Sequence, residues 1–460
     1  MTTTVIPPAA QAPGRPAHRD GNVLRWLGAY TASMIGDNVF YIALSWAAVQ
    51  SGTPSQAGLV MAVSAVPRAL LMLGGGVVAD RFGPRRVVIG SDAVRCAAVL
   101  TVAALLFVAS PGLWLLALLA VVFGIVDAVF MPAVGALPAR VTGRDQLARV
   151  QGMRGLAVRF ANVAGAPLGG LGVALGGSAT AFALAGLLIA VSVPLLISVR
   201  MREPVSAVGD GASTADVVAD ADDTPGDPED VPAGVDESGT PARVPDGPAA
   251  TPERPAPATA WRDLRDGLRY IRGHRVLAPL IVAIALGDLG FVGPLNVGLA
   301  LLADQRGWGA SGMGLVVAAF GAGAGAAALL LAWRGTLPRA GSAGAAALLC
   351  GSVAIGALAY VPGVGAAVGV ALAIGLLAGL SGALCGALLQ TQSEPAYLGR
   401  VTAVAGIVSL GLAPLSMPLT AAAIGWWGTG PVFVASAVVC GLGGVVALGV
   451  RDLRRAELPR

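Results

Sequence analysis

The stretch Gly-Asp-Asn-Val-Phe at residues 36–40 recurs as Gly-Asp-Leu-Gly-Phe at residues 287–291, an offset of 251 positions. Three further matches fall on the same offset: Gly135-Ala136-Leu137 with Gly386-Ala387-Leu388, Arg149-Val150 with Arg400-Val401, and Pro167-Leu168 with Pro418-Leu419. One match would carry little weight in a chain rich in Gly, Ala, Leu and Val. Four on one offset, one of which includes an acidic residue, indicate an internal duplication.

The composition is that of a membrane protein. Hydrophobic residues make up 55% of the chain and charged residues 12%, and the mean hydropathy is +0.76. Runs of roughly 20 apolar residues can each cross ~30 Å of hydrocarbon. Twelve such runs are predicted, six on each side of a polar segment, near residues 23–49, 57–79, 87–109, 113–137, 155–175, 179–199, 277–302, 312–333, 342–361, 364–389, 403–424 and 430–450.

The sequence lacks residues that several kinds of functional site require. All 30 basic residues are Arg, so the lysine of an ATP-binding P-loop and any Schiff-base lysine are absent. The only two histidines, His18 and His274, lie outside the apolar runs, and the 4 cysteines occur singly without metal-ligand spacing. The sequence therefore predicts no metal site and no cofactor.

The arginines predict the orientation in the membrane. They cluster before run one, after runs two and four, and after run twelve, whereas the opposite connections carry none apart from Arg306. By the positive-inside rule both termini are expected in the cytoplasm. Arg without Lys, together with abundant Ala and Gly, is typical of a GC-rich bacterial genome, so the expected location is a bacterial plasma membrane.

The predicted organisation has six parts. Residues 201–260 are rich in Pro, Gly and acidic residues, which indicates a disordered cytoplasmic linker. Residues 261–276 combine an apolar helical face with flanking arginines, as in an amphipathic helix at the membrane interface. The remaining parts are an N-terminal tail (1–21), two six-helix halves (22–200 and 277–450) and a C-terminal tail (451–460).

The connection after run two carries the pattern G-x-x-x-D-R-x-G-x-R-R, whose fixed positions are Gly76, Asp80, Arg81, Gly83, Arg85 and Arg86. This spacing resembles the loop signature of the major facilitator superfamily. Since the twelve runs, the central linker and the duplication fit as well, the resemblance covers nearly the whole chain. It implies an all-α integral membrane fold of twelve transmembrane helices in two parallel-repeat halves, a transporter without enzymatic activity, and a role for the loop in conformational change.

Finer motifs resemble those of bacterial exporters of the enterobactin-exporter-like and macrolide-efflux-like kind. They are Phe130-Met-Pro132-Ala133, Leu137-Pro138, the stretch 165–170 with Gly165, Pro167, Gly169 and Gly170, and Glu394-Pro395 followed by Gly399-Arg400-Val401. The resemblance implies proton-coupled efflux of an amphipathic small molecule by a monomer, and the glycines are expected to pack helices. Pro167 stands one place later than in the antiporter signature. The arginine that many drug/proton antiporters carry in span four is absent.

Other functions are also considered. An importer or a lipid flippase would use the same fold, and so would a receptor that does not transport. An integral-membrane transferase would need metal-binding acidic motifs on ordered loops, whereas the acid-dense stretch here is the Pro/Gly-rich linker, so an enzyme is disfavoured.

Charged residues within the apolar runs are the candidate site, because an ionisable group in hydrocarbon costs on the order of 3 kcal/mol or more. Asp37 and Asp288 occupy matching places in runs one and seven. The resemblance to the superfamily places these helices along the central cavity, which implies that the two carboxylates face each other across the substrate path. One hypothesis makes either of them the proton-coupling acid. The alternative is a structural ion pair between Asp37 and Arg68.

Further polar residues complete the candidate set. Asp127 is the only charge in run four, and Arg159 and Asn162 lie deep in run five. Asn296 follows in run seven. Asp92 and Arg95, three positions apart in run three, are expected to pair with each other and to brace the loop. The scarcity of aromatic and amide groups in the presumed cavity favours an amphipathic solute over a sugar.

Overall fold

The protein is described here by a computed structural model that covers residues 17–108, 112–143, 146–201, 257–334, 339–394 and 397–457. Within these residues the chain is helical and forms no strand. A 3-10 turn at Ala17–Arg19 precedes the helices of the first half, which are α1 (Gly21–Ser51), α2 (Pro54–Phe82), α3 (Pro84–Val108), α4 (Leu113–Ala136), α5 (Pro138–Val141) and α6 (Leu147–Ser198). The second half has α7 (Pro257–Gly273), α8 (Leu277–Gly293), a π-helix (Pro294–Gly298), α9 (Leu299–Gln305), α10 (Gly309–Arg334), α11 (Ala340–Leu358), α12 (Val364–Thr391), α13 (Leu398–Trp427), α14 (Thr429–Gly449) and α15 (Arg451–Arg454).

These helices supply the twelve predicted spans. Nine continuous helical stretches in the described part of the chain are long and apolar enough to cross a membrane. The longest, α6, breaks at Gly176 and Gly177 and so provides two spans, and α2 and α13 are 29 and 30 residues long. At 1.5 Å per residue each exceeds the thickness of the hydrocarbon layer. The predicted all-α fold with two six-helix halves is confirmed.

Local sequence sets the ends of α2. At its start the Thr53 hydroxyl accepts a hydrogen bond from the Gln56 backbone and the Gln56 side chain accepts one from the Thr53 backbone, a reciprocal cap completed by Pro54 at the first helical position. At its end Gly83 has φ of +83°, which favours glycine, and Pro84 starts α3. The predicted loop signature thus forms a tight turn between α2 and α3, while the side chain of Asp80 lies outside the described part.

The segment between the halves is described only at its end. Most of the predicted linker, residues 202–256, lies outside the described residues. The amphipathic segment is helical in α7, where Ile271 is buried in the apolar core of the second half and Tyr270 stacks on Tyr397 with ring centroids 4.3 Å apart. Its predicted place at the membrane interface stays a prediction.

Span seven departs from the predicted single α-helix. The predicted run 277–302 contains a π-helical turn at Pro294–Gly298 between α8 and α9. Pro294 has no backbone N–H to donate, and such turns are common at functional positions in helices. Asn296 lies in this turn.

Candidate functional site

A group of buried charges lies inside the first half. We call Asp37 on α1, Asp92 and Arg95 on α3, and Asp127 on α4 the acid–arginine cluster. Arg95 and Asp92 have no exposed surface, and Asp127 and Asp37 are 4% and 7% exposed. Burial of four charged side chains in an apolar chain requires that they satisfy one another.

Arg95 is the centre of the cluster. Its Nη1 donates to Asp37 Oδ1 at 2.9 Å, to Asp37 Oδ2 at 2.8 Å and to Asp127 Oδ1 at 3.3 Å. Its Nη2 donates to Asp92 Oδ1, and also to Ser33 Oγ at 3.1 Å. One guanidinium therefore holds three carboxylates from three helices, and its planar fork offers donors along two edges.

Neutral groups complete the surroundings. The Ser192 hydroxyl, from the second span of α6, donates to Asp92 Oδ2. The Tyr41 hydroxyl donates to Asp127 Oδ2 at 3.4 Å. The Arg95 guanidinium lies 3.9 Å from the centroid of the Phe130 ring, close enough for a cation–π interaction. Hydrogen bonds thus hold the Arg95 guanidinium along its edge, and the Phe130 ring packs against its face.

The predicted ion pair between Asp37 and Arg68 is wrong. Arg68 on α2 lies near a different carboxylate, with Nη1 3.7 Å from Asp127 Oδ2, and its side chain is 26% exposed. Asp37 pairs with Arg95 instead, because α3 brings a fully buried guanidinium to it. The predicted pair of Asp92 and Arg95 is present, but it belongs to the cluster and does not simply brace the loop.

The charges in this region do not balance. Among the described side chains, three carboxylates, Asp37, Asp92 and Asp127, face two guanidiniums, Arg95 and Arg68. With all five groups ionised they carry one net negative charge within the membrane-spanning helices. One bound proton would neutralise it.

A central cavity of about 380 Å³ lies between the two halves. Asn38, Arg159 and Asn162 line it from the first half, and Phe291 and Phe320 are among the residues that line it from the second. Asn38 Nδ2 donates to Asn162 Oδ1 at 3.2 Å. Three polar side chains on an otherwise apolar wall suit a solute with one polar end.

Asn296 does not line this cavity, contrary to the sequence-based expectation. Its side chain is exposed and donates to the Val292 backbone oxygen at 2.8 Å. Its own backbone oxygen accepts a hydrogen bond from the Ser45 hydroxyl at 3.4 Å. The π-helical turn thus places Asn296 at a contact between the halves.

Helix α1 connects the cluster with the central cavity. Asp37 points into the cluster, and the next residue, Asn38, lines the cavity. Consecutive helical residues are about 100° apart around the helix axis, so α1 presents the two side chains to two different sites. Gly165 and Gly169 allow α6 to approach α1 closely, because a Cβ on them would lie 2.5 Å from Asn38 Cβ and 2.9 Å from Ile42 Cβ.

Asp288 has different surroundings from Asp37. It lies in a cavity of about 170 Å³ whose lining comes entirely from the second half, including Phe291, Ser381, Cys385 and Cys440. The expectation that Asp37 and Asp288 face each other across one path is therefore wrong. Asp37 is paired with Arg95 in the acid–arginine cluster, whereas Asp288 borders a largely apolar cavity.

The two halves pack closely toward one end of the helices. A Cβ on Gly170 would lie 2.5 Å from the Ala310 backbone oxygen, and Gln50 Nε2 donates to Asp304 Oδ1 at 2.6 Å. We call these contacts, together with Gly58 against Ala421, the closed gate. All of them lie toward the helix ends opposite the arginine-rich turn at Gly83. Arg159 and Asn162 lie nearer to the arginine-rich ends.

Comparisons with known proteins identify the family that has this architecture. The family model of the Major Facilitator Superfamily matches residues 26–412. The chain belongs to the major facilitator superfamily. Solved structures agree with this fold: a variant of the nucleoside transporter NupG (10% identity, 94% of this chain and 100% of that one, TM-score 0.64) and a D-xylose–proton symporter (12%, 95% and 98%, 0.64).

A third similar structure is a bacterial homologue of the human lysosomal transporter Spinster in an inward-facing and occupied conformation, with 14% identity, 95% and 97% coverage and a TM-score of 0.64. The comparison with curated protein sequences found no match. This major facilitator protein is thus a multi-pass membrane protein and a secondary transporter of small molecules rather than an enzyme. The resemblance to the enterobactin-exporter-like and macrolide-efflux-like subgroup stays a prediction.

The closed gate of this transporter gives a testable prediction. Gly170→Val should prevent gate closure, because the added side chain would overlap the Ala310 backbone and keep the two helices apart. We expect a cysteine introduced at the buried position Ser45 to react much faster with a membrane-impermeant maleimide in that background. Gly155→Val is the matched control, since a Cβ on Gly155 meets no atom within 4 Å. Equal labelling rates in the two backgrounds would contradict the gate assignment.

Proposed function

We propose that this transporter exports an amphipathic small molecule, such as a drug, natural product or siderophore, in exchange for protons. The observation that carries the proposal is the excess of one carboxylate in the region around Arg95. A net charge among membrane-spanning helices is costly, so the region binds a proton readily during the transport cycle. The polar groups of the central cavity, Arg159 and Asn162, then contact the solute.

Asp37 is the proposed proton carrier of the cluster. Its side chain is 11% exposed, against 6% for Asp127 and 1% for Asp92, so it is the most accessible of the three to a proton. Asp92 is further held by the hydroxyl of Ser192. Since Asn38 follows Asp37 directly, a change in the charge of Asp37 that moves α1 also changes the central cavity.

The proposed cycle uses alternating access. We assign the present structure to the inward-facing state, supported by the closed gate at the ends opposite the arginine-rich connections, which the positive-inside rule places in the cytoplasm. Asp37 takes up a proton from outside when the solute leaves, and releases it to the cytoplasm when the next solute binds. The turn at Gly76, Asp80, Arg81, Gly83, Arg85 and Arg86 is proposed to move between two packing arrangements as the halves rock. The proposed form is a monomer in a bacterial plasma membrane with both termini in the cytoplasm.

The test is transport in proteoliposomes. Amphipathic compounds are first screened for thermal stabilisation of the purified protein, because a ligand that binds the folded state raises its stability. For a compound that binds, we expect a pH gradient to drive its flux in the direction opposite to proton movement. Flux in the same direction as protons would identify an importer instead. A flux that does not depend on the pH gradient would contradict proton coupling.

A further inference from the structure

We propose that the cavity beside Asp288 binds the protonated amine of the transported molecule, at the place that corresponds to the Arg95 guanidinium of the first half. This inference rests on the proposed transport function and narrows its substrate to organic monocations whose amine carries apolar substituents. It separates two roles: the cluster around Arg95 takes the proton, and Asp288 takes the positive charge of the solute.

The internal duplication supplies the first argument. At the offset of 251 positions Asp288 corresponds to Asp37, and on α12 Ala378 and Ser381 correspond to Asp127 and Phe130 of α4. In the first half Asp37 and Asp127 accept hydrogen bonds from Arg95, and Phe130 lies against its guanidinium. In the second half the corresponding three residues all line the cavity.

The second half thus retains the carboxylate but lacks the guanidinium. On α11 the side chain that reaches this cavity is Leu348, whereas α3 supplies Arg95 to the matching site. Among the described side chains, no basic group lies within ion-pair distance of Asp288. A carboxylate in a membrane-spanning helix is stabilised by a proton or by a cationic partner, and a bound ammonium group would supply the second.

The size and lining of the cavity indicate the kind of cation. A cavity of about 150 Å³ holds a benzene molecule, and this one is about 170 Å³. The other described residues that line it contribute aliphatic, aromatic and thiol groups and the hydroxyl of Ser381. Hard metal cations need about six or more oxygen ligands, so the chemistry favours an amine that carries apolar substituents.

The cavity also joins the proposed substrate path. Phe291 and Ala378 line both this cavity and the central one. A solute whose amine reaches Asp288 can therefore extend past Phe291 into the space lined by Arg159 and Asn162. The combined shape suits an elongated amphipathic amine with a hydrogen-bond acceptor near its other end.

The experiment uses three probes of one shape, 4-phenylbutylamine, 4-phenylbutanol and 4-phenylbutyrate, and measures their affinities for the purified full-length protein by thermal stabilisation. We expect the amine to bind at least about tenfold more tightly than the alcohol, since a charge pair in an apolar cavity is a strong contact. Asp288→Asn should remove this preference, and Ser381→Phe, which restores the ring of the first half, should abolish binding of the amine. The matched control is Asp452→Asn on the exposed helix α15, which should bind as the wild type does.

The outcomes separate this inference from the proposed proton coupling. Retention of the amine preference in Asp288→Asn, or its loss in Asp37→Asn alone, would overturn the assignment of the cation to the second half. Equal affinities for amine and alcohol in the wild type, or no binding of any of the three probes, would overturn it as well. None of these results bears on whether a pH gradient drives transport, which the proteoliposome assay decides separately.

Discussion

Arg95→Leu is expected to destabilise the protein by about 3–5 kcal/mol, the cost of removing one partner from a buried ion pair. The change leaves Asp37, Asp92 and Asp127 together in the first half, and the basic group that still contacts them among the described side chains is the partly exposed Arg68. Two of the carboxylates would have to take up protons for the helices to pack. We expect a much reduced yield of folded protein in the membrane and early loss of monodispersity on heating, measured by fluorescence-detected size-exclusion chromatography.

Arg68→Leu is the matched control for this prediction. It removes the same charge and a side chain of the same type, but Arg68 lies 3.7 Å from a single carboxylate and is 26% exposed. Arg68 meets one carboxylate and Arg95 meets three, so we expect Arg68→Leu to destabilise the protein less than Arg95→Leu does. A larger loss in Arg68→Leu than in Arg95→Leu would contradict the central position of Arg95.

Asp37→Asn is expected to abolish uphill transport while leaving the protein folded. The variant has two carboxylates, Asp92 and Asp127, for the two guanidiniums of Arg95 and Arg68, so the region becomes neutral without a proton. A neutral side chain mimics the protonated acid throughout the cycle, so solute exchange down its gradient should continue. The measurement compares pH-driven accumulation with downhill exchange in the same proteoliposomes.

Asp37→Glu keeps a carboxyl group and is the control for Asp37→Asn. We expect it to retain part of the pH-driven accumulation, because the longer acid can still exchange a proton near Arg95. Full accumulation by Asp37→Asn would remove Asp37 from the coupling mechanism and shift attention to Asp127, the next most exposed acid of the cluster.

The fold could be predicted because each membrane span is recognisable in the sequence as an apolar run. A run of about 20 apolar residues is long enough to cross the hydrocarbon layer, and the ends are set by local chemistry such as the cap at Thr53 and the turn at Gly83. The interruption of span seven by a π-helical turn was not predicted. Pro294 marks the place, but a proline alone does not distinguish a kink from a π-turn.

The candidate site was only partly predictable. Asp37, Asp127 and Asp288 stand out as acids in apolar runs, but their partners depend on how helices rotate against one another. Arg95 was interpreted through its neighbour Asp92, three positions away, although α3 turns it toward Asp37 and Asp127 as well. The available signal was the charge count: the spans of the first half hold three acids in need of partners, and an arginine in mid-span is the group that can serve several of them.

The central claim, that Asp37 takes up the proton, is tested most directly by infrared difference spectroscopy of the purified transporter between acidic and alkaline buffer. Asp288, which has no basic partner among the described side chains, can hold a proton as well, so the measurement is made in the Asp288→Asn background. We expect a carbonyl stretching band of a buried protonated carboxyl group in that background, lost when Asp37→Asn is added. A band that persists unchanged in the double variant, or the absence of a band in Asp288→Asn, would contradict the claim.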